Sequence, residues 1–196
     1  MKTSIKPFLS AVALFLFVSI STNAQYRFGV TAGANFSDVV GDESSDNIMK
    51  VGFHVGVDAE LSINDRYSIV PSVLYTVKGT KSEDFDDLSV NINYVEVPLA
   101  IKYQTMNGLG FWIGPYFSIL TSATLKIDDD DTDVTKNFND IDAGVKLGIG
   151  YRMKNGIGIY TNYARGITNI DHFDNADLEN QHSVFGLGVS YLIGTK

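Results

Sequence analysis

The densest set of hard oxygen ligands in the chain is Asp128-Asp129-Asp130-Asp131, with Asp133 close behind. Carboxylates in series suit Ca²⁺, but an EF-hand loop also needs a glycine at its sharp turn and a distal bidentate glutamate, and this run has neither. It reads as a solvated loop tip. So do Asp42-Glu43 and the Glu83-Asp84 and Asp86-Asp87 pairs. General-base chemistry would fall to one of the 3 histidines, His54, His172 and His182. His182 adjoins Ser183, yet neighbours on a strand point to opposite faces and cannot serve each other as nucleophile and base. His172 follows Asp171 with no serine in view. Cysteine is absent, which excludes disulfides and thiolate metal sites. No catalytic residue, metal site, cofactor or enzymatic activity is expected.

A more regular pattern runs through the other charges. Arg27, Lys50, His54, Asp58, Glu60, Lys78, Glu96, Lys102, Asp142, Lys146 and Arg152 fall at alternate positions of segments whose remaining positions are apolar. They share their face with Gly29, Gly33, Gly52, Gly56, Gly144, Gly148 and Gly150, with Gly186 and Gly188 similarly spaced near the C-terminus. Those glycines resemble no phosphate loop and suit the relief of crowding inside a coiled sheet. Charges of both signs on an enclosed face must be paired or hydrated. The chemistry they imply is a network of ion pairs, with Glu96 among its central acceptors.

Strands are the elements that position such a face. Val51, Phe53, Val55, Val57, Ala59 and Leu61 alternate with Lys50, Gly52, His54, Gly56, Asp58 and Glu60. Ile141 to Tyr151 repeats the pattern against Asp140 to Arg152. Period two sustained over ten or so residues means strand, and about 9–11 residues is what a tilted strand needs to cross a bilayer. Eight runs are predicted, at 26–35, 50–61, 67–78, 91–103, 110–122, 140–152, 157–167 and 182–193. Short connections (Ser62–Arg66, Gln104–Leu109, Met153–Gly156) alternate strictly with long polar ones (Phe36–Met49, Gly79–Val90, Ala123–Asn139, Thr168–Gln181). Short turns on one side and long loops on the other is the asymmetry of outer-membrane barrels, with the turns periplasmic and the loops extracellular. On the outward register at the short-turn rim stand Tyr26, Tyr67, Tyr103, Phe111, Tyr151 and Tyr191. Such a ring suits a membrane–water interface. A soluble carrier barrel would be polar outside and apolar inside, the reverse of what is seen. The fold class is therefore all-β, an eight-stranded antiparallel up-and-down transmembrane β-barrel.

The N-terminus supplies a route to the membrane. Lys2 and Lys6 precede an apolar stretch from Phe8 to Ile20, and Thr22-Asn23-Ala24 ends in a small residue. This is a signal peptide over residues 1–24 with cleavage before Gln25, leaving the barrel domain at 25–196. Loss of the two lysines takes the net charge from −8 to −10. A chain so acidic is no nucleic-acid binder.

Four segments carry a family resemblance: Phe28–Ser37, Pro71–Gly79, Asn93–Tyr103 with its Tyr94-Val95-Glu96-Val97-Pro98 core, and Tyr163–Ile170. Through them the mature chain resembles the PorT-like outer-membrane β-barrel family, a porin-superfamily group of OmpA-like eight-strand barrels. The resemblance implies outer-membrane lipid as the surrounding partner and the barrel-assembly machinery as a partner in biogenesis. Barrels of this kind usually finish on an aromatic residue; here Leu192–Lys196 follows Tyr191. The expected function is a structural or interaction scaffold that shows four acidic loops outside the cell to a protein partner of unknown identity. The alternatives are a narrow channel, an accessory component of a protein-secretion apparatus, or a lipid-modifying barrel enzyme. Channel currents and lipid analysis discriminate among them.

Overall fold

The computed structural model describes residues 26–40, 47–82, 88–127, 130–170 and 180–193; the leader at 1–24 and the cleavage point lie outside these. Eight long strands form the wall: β1 (Tyr26–Val40), β2 (Asn47–Ser62), β3 (Tyr67–Ser82), β4 (Leu88–Gln104), β5 (Leu109–Ile127), β7 (Ile141–Arg152), β8 (Ile157–Gly166) and β9 (Gln181–Leu192). A short β6 (Asp130–Asp133) pairs with β5, and a 3₁₀ turn spans Thr135–Asn137. Each wall strand pairs antiparallel with the next wall strand along the chain, β5 with β7 included, while β6 between them pairs with β5. β1 also pairs with β9, Gly33 facing Gly188, so the sheet closes on itself. Closure removes every free edge, the condition for strands to span a hydrocarbon layer.

Alternation sorts the side chains. Phe28, Val30, Phe53, Val55, Val57, Ile101, Ile113, Phe117, Leu147, Leu187 and Val189 stand exposed on the outside. Thr31, Asn35, His54, Glu60, Lys78, Glu96, Lys102, Ser118, Asp142 and His182 are buried inside. The wall is thus apolar outward and polar inward. No helix among the described residues is long and apolar enough to cross a membrane.

Three short turns link β2–β3, β4–β5 and β7–β8. Asn64 Oδ1 accepts the backbone N–H groups of Arg66 and Tyr67 at 2.9 Å each. Gly108 and Gly156 take φ of 91° and 88°, a left-handed backbone that glycine adopts without a Cβ clash. Asn107 and Asn155 precede these glycines, and all three turns fall in the short connections expected from the sequence.

The strand boundaries need correction at the other end. β1 runs on to Val40, β2 starts at Asn47, β3 reaches Ser82, β4 starts at Leu88 and β5 reaches Ile127, all inside segments expected to be loop. The expected loop at 123–139 also contains β6 and the 3₁₀ turn. Apolar alternation fades there, with Thr80, Lys81, Thr124 and Lys126 in the strands, but the ladder continues through backbone pairing, as in Val40 with Gln181 and Ile127 with Leu88. The wall is therefore uneven: β5 has 19 residues, whereas β8 has 10, about the length that just spans a bilayer.

Candidate functional site

The lumen divides into two halves. Towards the long loops, Lys78 Nζ lies 2.9 Å from Glu96 Oε2 and 2.9 Å from Asp142 Oδ2. Lys146 bonds the other Glu96 oxygen. Two cations thus meet two carboxylates. Tyr116 donates its hydroxyl to Asp142 at 3.3 Å, and Ser118 and Thr168 donate to Glu96 and Asp142 at 3.3 Å each. The Lys78 ammonium also sits 4.6 Å from the centre of the Tyr116 ring and 5.2 Å from that of Tyr94, within cation–π range. Solvent barely reaches three of the four charges: Glu96 is 0% exposed, Asp142 1% and Lys78 2%, while Lys146 is half-buried. Charges so dry persist only when matched and hydrogen-bonded, and these are.

Above it lies an apolar cap. Ile92, Tyr94, Leu120 and Ala123 form a buried cluster on β4 and β5, and Val134 and Phe138 from the β5–β7 connection pack onto it. Thr135 anchors that connection by accepting the Ala123 N–H at 2.9 Å. Asn139 ties it to the segment after β8, donating from its backbone to Ile170 O at 2.8 Å and from its side chain to Asn169 O at 2.9 Å. His182 is fully buried beside Tyr94, ring edge to face at 5.7 Å. Ser183 points the other way, its hydroxyl 3.1 Å from Tyr163 on the exposed side. The pair therefore cannot act jointly on one substrate.

A polar belt lies below the ion-pair layer. His54 Nδ1 is 2.8 Å from Asn35 Oδ1, and Nε2 is 2.5 Å from the Tyr160 hydroxyl. A carbonyl oxygen only accepts, so Nδ1 carries the proton and Nε2 takes the Tyr160 hydroxyl. Thr31 closes the chain, 2.6 Å from Tyr160.

Towards the short turns the arrangement changes. Glu60 alone receives three cations: Arg27 at 2.6 Å, Arg152 at 2.8 Å and Lys102 at 3.0 Å. Arg152 also donates to Gln104 Oε1 at 3.2 Å. Beside this cluster lies a cavity of about 150 Å³, lined by Glu60, Lys102 and Arg152 together with Asp58, Ser72, Trp112, Tyr160, Asn162 and Ser190, and reaching Gly108 in the β4–β5 turn. The Trp112 indole lies across β7 where Gly148 leaves room; a Cβ there would land on the ring. Glycine facing aromatic across the ladder shapes the cavity wall.

Of the residues expected in one charge network, the structure gathers Lys78, Glu96, Asp142 and Lys146 into one cluster and Arg27, Glu60, Lys102 and Arg152 into another. Lys50, His54 and Asp58 join neither through an ion pair among the described residues. Lys50 bonds Asn91 near the loops, His54 belongs to the polar belt, and Asp58 lines the cavity across the ladder from Ser72. The expected rim aromatics lie towards the short turns. Tyr67, Tyr103 and Phe111 stand level on adjacent strands, Tyr67 and Tyr103 with ring centres 5.2 Å apart. Tyr151 and Tyr191 are exposed on the outer face, and Tyr26 opens β1 opposite Leu61. In the aspartate run, Asp130, Asp131 and Asp133 are exposed, while Asp128 and Asp129 lie outside the described residues. Thr135 donates to Asp133 and holds its carboxyl below the usual aspartate range.

Tyr116, Trp112, Tyr160 and Asn35 complete the lumen and were not singled out by the sequence, while Tyr94 and His182 stand out there only for the family resemblance and as a possible base. Their register was readable: Trp112 and Tyr116 alternate with outward Phe111, Ile113 and Phe117. An inward aromatic simply carries no charge to draw attention.

A family model described as outer membrane protein beta-barrel domain matches residues 21–172. No curated protein sequence matches the chain. Among solved structures, Neisserial surface protein A is similar with 17% identity and a TM-score of 0.59, covering 84% of this chain and 96% of that one. Ail, the attachment invasion locus protein of Yersinia pestis, solved with the heparin analogue sucrose octasulfate, gives 12% identity and a TM-score of 0.53, covering 86% of this chain and 99% of that one.

Proposed function

Because this chain belongs to the outer membrane protein β-barrel domain family and is an outer-membrane β-barrel, we propose that it serves as a plugged scaffold and not as a pore. Its short turns face the periplasm, its four long connections face the cell exterior, and its role there is to present those connections to a protein partner. The rings of Tyr26, Tyr67, Tyr103, Phe111, Tyr151 and Tyr191 form the periplasmic-side girdle in the lipid interface. One observation carries the reading: the Lys78–Glu96–Asp142–Lys146 layer under its apolar cap leaves Glu96 with no solvent exposure. An ion path would have to run through that layer.

The PorT-like assignment belongs to the same proposal, since the segment that suggests it, Tyr94 to Pro98, supplies two fully buried members of the seal, Tyr94 and Glu96. So does a non-enzymatic role, supported by His182 and Ser183 facing opposite sides of β9. Export by a leader removed before Gln25 and folding on the barrel-assembly machinery complete it. N-terminal sequencing of the outer-membrane protein should begin at Gln25.

The decisive measurement is conductance. The purified mature barrel inserted into planar bilayers should give no steady current at moderate voltage. Stable ohmic steps from the wild-type protein would replace the scaffold reading with that of a narrow channel.

A further inference from the structure

We infer that the short-turn half of the lumen is a binding site for a small organic anion of about one ring's size, its charge held by Arg152 and Lys102 and its body laid against Trp112 and Tyr160. Three features converge. The first is charge. Arg27, Lys102 and Arg152 surround Glu60, and Asp58 is the one other carboxylate lining the cavity. Three cations against two carboxylates leave one positive charge in excess. The ion-pair layer next to it has no such excess, with Lys78 and Lys146 matched by Glu96 and Asp142, and Lys146, bound to Glu96, also borders the cavity.

The second feature is donor capacity. A guanidinium has five N–H donors. Arg152, which lines the cavity, uses Nη2 on Glu60 and Nη1 on Gln104 and keeps further N–H groups over; Arg27 stands behind Glu60, outside the lining, and adds its charge to the cluster without facing the cavity. A carboxylate entering the cavity would find charge-assisted donors already held in place, so it would lose little in ordering them. The third is shape. The cavity of about 150 Å³ matches the size of an apolar cavity that takes up benzene, about 150 Å³. Here one wall is aromatic, with the Trp112 and Tyr160 rings edge to face at 6.0 Å, while Ser72, Asn162 and Ser190 line other parts. A polar site of these dimensions favours an anion over a neutral hydrocarbon. Entry is from the short-turn end, where the lining reaches Gly108.

The chain has a single tryptophan, and it is Trp112, so its emission reports on this cavity alone. The mature barrel in a non-ionic detergent should be titrated with benzoate, with benzylamine as a cation of the same shape. Benzoate should change the Trp112 emission saturably and benzylamine should not. Arg152→Gln, shown to remain folded by its migration in unheated SDS, should bind benzoate about tenfold or more weakly, and Arg152→Lys should recover part of that loss. Lys50→Met, at the far end of the lumen, should bind like wild type. A flat benzoate titration of the wild-type barrel, equal responses to benzoate and benzylamine, or undiminished binding by folded Arg152→Gln would each overturn the site. The two wild-type comparisons decide the matter even if the variant does not fold.

Discussion

At one end of the lumen Glu96 and Asp142 hold the fully buried Lys78, with Lys146 at the edge; at the other, Glu60 faces Arg27, Lys102 and Arg152 beside a cavity. Both clusters sit inside the same wall and pair carboxylates with cations. The difference between them follows the water. A dry charge needs a full partner, because its desolvation is offset only by close and well-bonded opposite charge. A charge at the edge of a cavity keeps part of its hydration and tolerates imbalance. The dry half is thus built as structure, while the wet half keeps donors in reserve.

Removing one carboxylate from each half tests this contrast. Glu96→Gln takes the carboxylate from Lys146 and leaves the fully buried Lys78 with Asp142 alone, and the expected loss is about 3–5 kcal/mol, read from urea-dependent unfolding in lipid vesicles. The next largest effect concerns the wall that both halves share. Val55 is 48% exposed on the outer face and His54 is 5% exposed inside, so Val55→Arg should cost about 2–4 kcal/mol near the bilayer midplane. His54→Arg should disturb folding into vesicles less, since its charge reaches the polar interior. The opposite order would reverse the inside–outside assignment of β2. Glu60→Gln comes third, at about 1.5–3 kcal/mol, the worth of hydrogen bonds to charged groups. If it proved as damaging as Glu96→Gln, the contrast between dry and wet halves would fail.

A steric pair sharpens the picture of the wet half. Gly148→Ala would drive a methyl group into the Trp112 ring and should cost about 1–3 kcal/mol by overpacking. At Gly110 the nearest atom to an added Cβ is the flexible Lys102 Cε at 3.2 Å, so Gly110→Ala should be nearly neutral in the same unfolding assay. The smallest effect lies beyond the lumen. Asp133 is stabilised as a carboxylate by Thr135. Its folded-state pKa is depressed, so this contribution is present above the ordinary aspartate range and is lost as pH falls through the depressed value. The Thr135 amide resonance should accordingly shift at a pH below that of an unperturbed aspartate; movement at the usual value would show that the hydrogen bond is not kept in solution.

Much of the wall was legible because alternation is a local property. Lys50 to Leu61 states its own two faces, and the Asn-Gly pairs at 107–108 and 155–156 state their turns. The partition of the charges was not legible. Nothing in the spacing of Lys78, Glu96 and Asp142 says that these three meet while Glu60 joins Arg152, because the meeting depends on barrel stagger and on which residues face across the lumen. The extension of β5 to Ile127 was hidden for another reason. Its last turns carry Thr124 and Lys126 where lipid-facing residues would otherwise be, and Asp-rich β6 has low strand propensity of its own. There the pairing with β5, aided by Lys126 against Asp131 at 3.2 Å, overrides composition.

The join between β1 and β9 has a consequence for time as well as for shape. Its register runs from Gly29 with Leu192 to Val40 with Gln181, linking positions more than a hundred residues apart in the chain. Contacts so distant form late, since the intervening chain must be brought round before they are rewarded. A polypeptide cut short anywhere before Gln181 would present two raw edges and have no means of hiding them. Only a chain that extends through Leu192 can make the whole of this join, so the last strand synthesised is also the one that seals the sheet.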